Sequence, residues 1–330
     1  MKAIIPVAGA GTKLRPHTYT QPKALIPLAG KTILSIIIDQ LVEAGVTEFI
    51  LVVGYLGDKI QDYAKAHYPN LNIVIIQQNE RRGLGHAVYL CKEEVGSDEM
   101  IIVLGDTICE YNVTDFLSIV GSVLGVKRVD DPRDFGVAET DEENNVTRLI
   151  EKPQIPKSNN ALVGIYKVAE SELLFDCLET LVSAETDTFE ELNLTSALDC
   201  MVAKGTQFKA FKVSNWFDCG KKETLLESNA TLLKKWGGDI SDEHVFENTI
   251  IIPPVSIAQG CSIKNAIIGP NVSIGEKSII EYSIVKDSIV GSFSKLYDVV
   301  LNDSLIGCDT EIKGETRTLN IGDNTEIDLG

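Results

Sequence analysis

The stretch that decides the fold begins Ala3-Ile4-Ile5-Pro6-Val7-Ala8 and continues as GAGTKLRPHTYTQPKALIPL from Gly9 to Leu28. The six leading residues read as a buried strand of the kind found in the middle of a parallel sheet. The chain then enters a loop with glycines at 9 and 11, a threonine, cations at Lys13 and Arg15, and a Pro22-Lys23 pair. Glycine lets backbone N–H groups come close to an oxyanion, and successive N–H groups form an anion nest. Lys13, Arg15 and Lys23 add the charge that a polyphosphate requires. The stretch therefore predicts a strand running into a phosphate-binding loop, with Gly9, Ala10, Gly11 and Thr12 as its cradle.

Two commoner phosphate motifs are absent. Gly9-Ala10-Gly11 is followed by Thr12-Lys13-Leu14, where a dinucleotide fingerprint needs its third glycine. Gly30-Lys31-Thr32 ends like a P-loop, but position 25 is Leu where that motif has glycine. It predicts instead a turn before a helix that starts near Thr32. The pattern that fits is Gly-x-Gly-Thr-Arg-Leu-x-Pro-x-Thr followed by Pro-Lys. From Gly9 to Lys23 the chain resembles the sugar-1-phosphate nucleotidylyltransferases, the NDP-sugar pyrophosphorylases. One residue departs from the family pattern: Lys13 stands where the family has Arg, a flexible point charge in place of a planar fork.

Composition bounds the rest. A chain of 330 residues predicts two domains. Its net charge of −18 excludes the basic stripe that nucleic-acid binding needs. The same charge repels anionic substrates, so a phosphate site must gather its own cations and a divalent metal. No apolar run approaches the roughly 20 residues that span a bilayer, and the N-terminus lacks a signal-peptide layout. Seven cysteines, an odd number with no Cys-x-x-Cys pair, predict reduced thiols in a cytoplasmic protein.

After the loop, helical and apolar runs alternate: helices at 33–44, 56–66 and 84–94, and strands at 49–53, 73–76 and 100–104. That alternation predicts a doubly wound, Rossmann-like α/β sheet, with ligands beyond the carboxyl ends of its strands. Gly9–Lys23, Gln77–Gly85 and Gly105-Asp106 then share one sheet edge. From 125 to 168 the pattern changes to strands without helices. Helices near 170–182 and 188–204, a strand at 207–213 and a helix from 221 to 235 complete a domain of residues 1–238, closed by Gly237-Gly238. Beyond it apolar residues recur every six positions, at Ile268, Ile274 and Ile280, then Ile306 and Ile312, then Ile321 and Ile327. Three such units close one coil of a parallel β-helix, so residues 239–330 are expected to be a small β-helix domain, with roughly four coils over 248–330. The stretch 281–304 departs from strict hexads. The repeated apolar ridges suggest a homo-oligomer assembled through the β-helix.

The resemblance carries further roles with it. A family Gln five residues before a Gly-x-x-x-Ala helix start reads a pyrimidine base, and Gln78 keeps that spacing to Gly83. A carboxamide offers a donor and an acceptor to an imide edge. His86, one turn into the helix, reads as a structural residue that holds the loop. Family members carry a metal-binding acid in the contexts of Leu104-Gly105-Asp106 and Trp216-Phe217-Asp218. Asp106 and Asp218 are thus implied as Mg²⁺ ligands, a shell that substrate oxygens and water would complete. Gly136, Glu151 and Lys152 match the part that holds the sugar and its phosphate. Lys13 and Lys23 are implied as the catalytic cations, and the β-helix as left-handed.

The implied reaction needs no protein nucleophile: a sugar 1-phosphate oxygen attacks the α-phosphorus of a nucleoside triphosphate and expels pyrophosphate. Family members that take N-acetylhexosamine phosphates commonly have Asn where this chain has Leu162. Leu162 offers no donor to an acetamido carbonyl, so glucose 1-phosphate with dTTP or UTP is expected. Mannose 1-phosphate with GTP and a non-catalytic regulatory subunit are the alternatives. A second, acyltransferase activity in the β-helix is not expected. Such enzymes usually use a His base, and His17, His67, His86 and His244 all precede the coils.

Overall fold

The computed structural model describes residues 1–184, 191–241 and 244–315. It divides into two compact units, Met1–Ile26 with Lys31–Leu225, and Pro27–Gly30 with Leu226–Gly330. This division falls inside the helix Lys222–Trp236, whereas the expected boundary after Gly238 lies beyond that helix. The first residues of the helix expected at 188–204, and Ile321 and Ile327, lie outside the described residues.

The first unit is built on a nine-stranded mixed sheet. The opening strand, Lys2–Pro6, sits near its middle, parallel to Glu48–Val53 on one side and Met100–Val103 on the other. Asn72–Gln77 extends the parallel part. Asn160–Val168 then runs antiparallel to Met100–Val103 and leads to Ser122–Arg128, Gly136–Thr140 and Val146–Glu151. The central strands are apolar and buried, as strands covered on both faces must be: Ala3, Ile4 and Ile5 are fully inaccessible. Helices pack against the sheet, with Ile4, Ile102, Leu124, Phe175 and Phe208 in one continuous core.

Local chemistry sets the element ends. Thr32 caps the helix Ile33–Glu43: its side chain accepts from Ser35 N while Ser35 Oγ accepts from Thr32 N. The expected turn lies at Ala29-Gly30, followed by the short strand Lys31–Thr32 that leads into the helix. The helix expected at 84–94 is split into Leu84–Tyr89 and Lys92–Val95. One strand pair was not foreseen. Thr107–Glu110 lies antiparallel to Asn215–Asp218, with Thr107 opposite Asp218.

The second unit contains a small left-handed β-helix made of three parallel sheets. Val245 pairs with Ser262, Ser262 with Ile279, Ile279 with Lys295 and Lys295 with Glu311. One coil is therefore 17 residues long in the first two turns and 16 in the next two, not the expected 18. The reason lies in the corners. Asn265, Asn271, Lys277, Tyr282, Asp287, Phe293 and Asp298 all adopt left-handed backbone, spaced by five or six residues. A single residue turns each corner, so some sides need only five; Asn and Asp, which tolerate that conformation best, hold four of these seven corners, and Lys277, Tyr282 and Phe293 hold the other three. This is why 281–304 breaks the hexad pattern. Ile268, Ile274 and Ile280 fill the interior as expected, and Ile306 and Ile312 pack against it.

Candidate active site

Three strand ends meet at the site. Lys2–Pro6 runs out into Val7-Ala8-Gly9, Asn72–Gln77 into Gln78, and Met100–Val103 into Leu104-Gly105-Asp106. All three strands are parallel, so their carboxyl ends open on one edge. They border a cleft of about 380 Å³ lined by Gly9, Lys23, Gln78, Arg81, Gly83 and Asp106, among others. A second cavity of about 350 Å³ is lined by Gly136, Glu151, Lys152, Leu162, Trp216 and Asp218, with further residues. Gly83, Leu84, Leu104, Asp106 and Glu191 border both, so the two spaces adjoin at Asp106.

The glycine loop is shaped by its second glycine. Gly11 has φ +59, and a Cβ there would lie 2.9 Å from Thr18 Cγ2 and 3.1 Å from Lys23 Cβ. Thr18 Oγ1 donates to Gly11 O at 2.8 Å, which closes the loop on itself. Short 3₁₀ turns follow at Thr12–Leu14, His17–Tyr19 and Lys23–Leu25. The outcome for the expected cations is uneven. Lys23 lines the first cleft, and its Nζ lies 2.8 Å from Asp106 Oδ2. Lys13 and Thr12 are exposed, and with Ala10 and Gly11 they lie outside both cavities. Arg15 stacks over the Tyr19 ring.

Gln78 is buried, not a surface residue, and lines the first cleft. Its Nε2 donates to Gly83 O at 3.1 Å and lies 3.3 Å from His86 Nδ1. Burial, followed by the charge of Arg82, lowers the His86 pKa below its usual value, so the ring is neutral near pH 7. Gly83 has φ +92, and a Cβ there would meet Leu192 O at 2.6 Å.

In the second cavity, Glu151 Oε2 accepts from Thr195 Oγ1 at 2.6 Å, and Lys152 Nζ lies 3.9 Å from Glu151 Oε1. Gly136 is the close approach between them. A Cβ there would lie 2.9 Å from Thr195 Oγ1, 2.9 Å from Leu162 Cδ1 and 3.1 Å from Glu151 Oε2. Tyr166 also faces this space, and burial raises its phenol pKa well above the usual value, so it is a neutral hydroxyl there. Trp216 packs edge-on against Phe135, ring centroids 4.7 Å apart.

Asp106 and Asp218 are brought together by the unforeseen strand pair. Asp218 lies opposite Thr107, and Cys219 N donates to Asp106 O at 3.2 Å. Both carboxylates border the second cavity and both are exposed enough to bind a hydrated ion. Among the described residues no cluster of three or more His, Cys, Asp or Glu could hold a metal by itself. A pair of hard oxygen donors in an open cleft fits a cation that keeps waters and substrate phosphates, as Mg²⁺ does.

Of the expected residues, Gly9, Lys23, Gln78, Gly83 and Asp106 thus line one cleft and Gly136, Glu151, Lys152 and Asp218 the other, while Ala10, Gly11, Thr12 and Lys13 line neither. Thr195, Tyr166 and Glu191 were not foreseen. Thr195 reaches Glu151 from the helix Leu194–Ala203, across 44 positions of chain, and no local pattern marks it.

Comparison with known proteins agrees with this geometry. The Nucleotidyl transferase family model matches residues 2–235. The chain is 33% identical over 362 residues to the low-salt glycan biosynthesis nucleotidyltransferase Agl11 of Haloferax volcanii, covering 100% of both. It is 29% identical over 362 residues to a glucose-1-phosphate thymidylyltransferase of Streptomyces antibioticus, covering 100% of this chain and 99% of that one. A UDP-glucose pyrophosphorylase solved with UDP-glucose shares the fold, at 23% identity and TM-score 0.61 over 71% of this chain and 98% of that one. No helix among the described residues is long and apolar enough to cross a membrane. A glycine loop beyond a central strand, adjoining a second cavity at an acid on the neighbouring strand, goes with the sequence match, and the chain belongs to the nucleotidyl transferase family, among its sugar-1-phosphate nucleotidyltransferases.

Proposed function

We propose that the enzyme transfers a nucleotidyl group from dTTP or UTP to glucose 1-phosphate, giving the NDP-sugar and pyrophosphate. The observation that carries this reading is the meeting of two clefts at Asp106, with Lys23 bonded to it. The first cleft takes the triphosphate, its base against Gln78 and Gly83 and its phosphates toward Gly9 and Lys23. The second takes the sugar phosphate, with Glu151 accepting from sugar hydroxyls and Lys152 beside the phosphate. A sugar phosphate oxygen forms a bond to the α-phosphorus as the bond to the pyrophosphate oxygen breaks. The nucleophile is already an anion, so the residues align and neutralise and none needs to take a proton.

Lys23 has its charge balanced by Asp106, and incoming phosphate oxygens would replace that carboxylate as its partner. Asp106 and Asp218 would hold Mg²⁺, which when bound supplies charge neutralisation on the phosphates. Thr195 fixes the Glu151 carboxylate, and Gly136 leaves the space beside it open. Lys13 is exposed and lies outside both clefts, so Lys23 is the loop cation that this reading relies on.

Leu162 supports the choice of a plain hexose. It is apolar and buried at the wall of the second cavity, so an acetamido carbonyl beside it finds no donor from this side chain. None of the seven cysteines is in a disulfide, which supports a reducing compartment such as the cytoplasm. The β-helix remains the proposed surface for a homo-oligomer, checked by sedimentation at micromolar concentration; a monomer there refutes it.

The test is pyrophosphate release in a matrix of glucose, mannose and N-acetylglucosamine 1-phosphates against dTTP, UTP, GTP, ATP and CTP, with Mg²⁺. The highest kcat/KM should fall on glucose with dTTP or UTP. Preference for GTP would overturn the reading of Gln78, and preference for the acetamido sugar that of Leu162.

A further inference from the structure

The Gln78 carboxamide has two N–H bonds, and the surrounding groups occupy both. Gly83 O can only accept, so the amide atom 3.1 Å away must be Nε2. The same Nε2 lies 3.3 Å from His86 Nδ1, which must then be a lone-pair acceptor. That assigns the proton of the neutral ring to Nε2. With both N–H bonds committed to protein, only the carbonyl oxygen Oε1 of Gln78 is left for a base in the first cleft.

We infer that His86 is a specificity-positioning residue, which holds the Gln78 amide so that its oxygen faces the base and thereby selects an N3–H imide. This rests on the proposal that Gln78 reads the base. Uracil and thymine carry a hydrogen on N3 and donate it to Oε1. Cytosine carries a lone pair on N3, which would face the same oxygen with no hydrogen between them. Without His86 the amide keeps one tether, to Gly83, and its second N–H is released. The carboxamide can then turn and offer a donor to cytosine N3. His86 touches no reacting atom, and its effect passes entirely through Gln78.

The experiment measures kcat/KM for UTP and for CTP at saturating glucose 1-phosphate in the full-length enzyme and in His86→Leu, His86→Asn and Gln78→Leu. Loss of one orienting hydrogen bond should lower the UTP-over-CTP ratio about tenfold in His86→Leu. His86→Asn, whose Oδ1 can accept near the Nδ1 position, should restore the ratio to within about threefold of wild type, which simple loss of packing would not do. An unchanged ratio in His86→Leu, together with a collapsed ratio in Gln78→Leu, overturns the role of His86 and leaves the base reading standing. An unchanged ratio in Gln78→Leu overturns the base reading itself. Should His86→Leu fail to fold, ¹⁵N NMR of the wild-type imidazole decides. A neutral Nε2–H tautomer is expected, and a proton on Nδ1 would refute the relay.

Discussion

Asn229→Ala tests how the segment after the phosphate loop is held. Asn229 is 1% exposed, on the helix Lys222–Trp236. Its Oδ1 accepts from Ala29 N at 2.8 Å and from Ser273 Oγ at 2.7 Å, and its Nδ2 donates to Asn271 O at 3.1 Å. Ala29, Ser273 and Asn271 are all buried, so each loses a partner that water cannot easily replace. At about 1 kcal/mol for each broken bond, the loss is about 3 kcal/mol. With a urea slope of about 1.5 kcal/mol/M, the unfolding midpoint should fall by about 2 M. The assay is urea unfolding followed by Trp236 fluorescence in a Trp216→Phe background, since the chain has only these two tryptophans. Pro27–Gly30 lies one residue beyond Lys23–Leu25, so the variant should also raise KM for the triphosphate. A midpoint shift below about 0.5 M with an unchanged slope would refute the reasoning, because a buried amide with three partners cannot be removed so cheaply. Removing residues 240–330 takes away Asn271 and Ser273 together, and also Ser256, whose Oγ would lie 2.2 Å from a Cβ at Gly30. That truncation should destabilise the 27–30 segment at least as much.

Asp106→Asn and Asp218→Asn should each lower kcat by at least about a hundredfold at limiting Mg²⁺ with little change in melting temperature, since each removes a charge at the cleft without altering shape. Near-normal turnover in both would remove them from the metal site. Thr195→Val keeps the volume of the side chain but loses the 2.6 Å bond to Glu151. A hydrogen bond to a charged group is worth about 1.5–3 kcal/mol, so KM for glucose 1-phosphate should rise roughly tenfold or more. An unchanged KM would mean that Glu151 does not contact the sugar.

Much of the site could be read in advance because its signals are local. A buried strand announces itself by an unbroken apolar run, and a loop that needs backbone close to an anion announces itself by glycine. The carboxyl-end rule then placed Gly9, Gln78 and Asp106 on one edge, and the structure has them lining one cleft. The β-helix was legible from recurring isoleucines, but its coil length was not. A corner turned by a single residue, Asn265 or Asp287 in one place and Tyr282 or Phe293 in another, carries no mark of its own in the sequence, and the five-residue sides follow from backbone conformation.

By itself the sequence determined the strand-and-loop order, the parallel centre of the sheet and the β-helix, and it nominated the candidate site residues, since propensity, periodicity and glycine requirement act over a few residues. Only the tertiary structure decided which of those residues meet. Asp218 comes opposite Thr107, the neighbour of Asp106, because two short strands pair, Thr195 reaches Glu151 because a helix packs over a strand, and Ala29 is tied to Asn229 from 200 positions away. It also set Lys13 outside both clefts while Lys23, ten residues on, turned inward. Contacts of that kind are chosen by the packing of whole elements and by the need to pair every buried polar group, and no short window of sequence contains either condition.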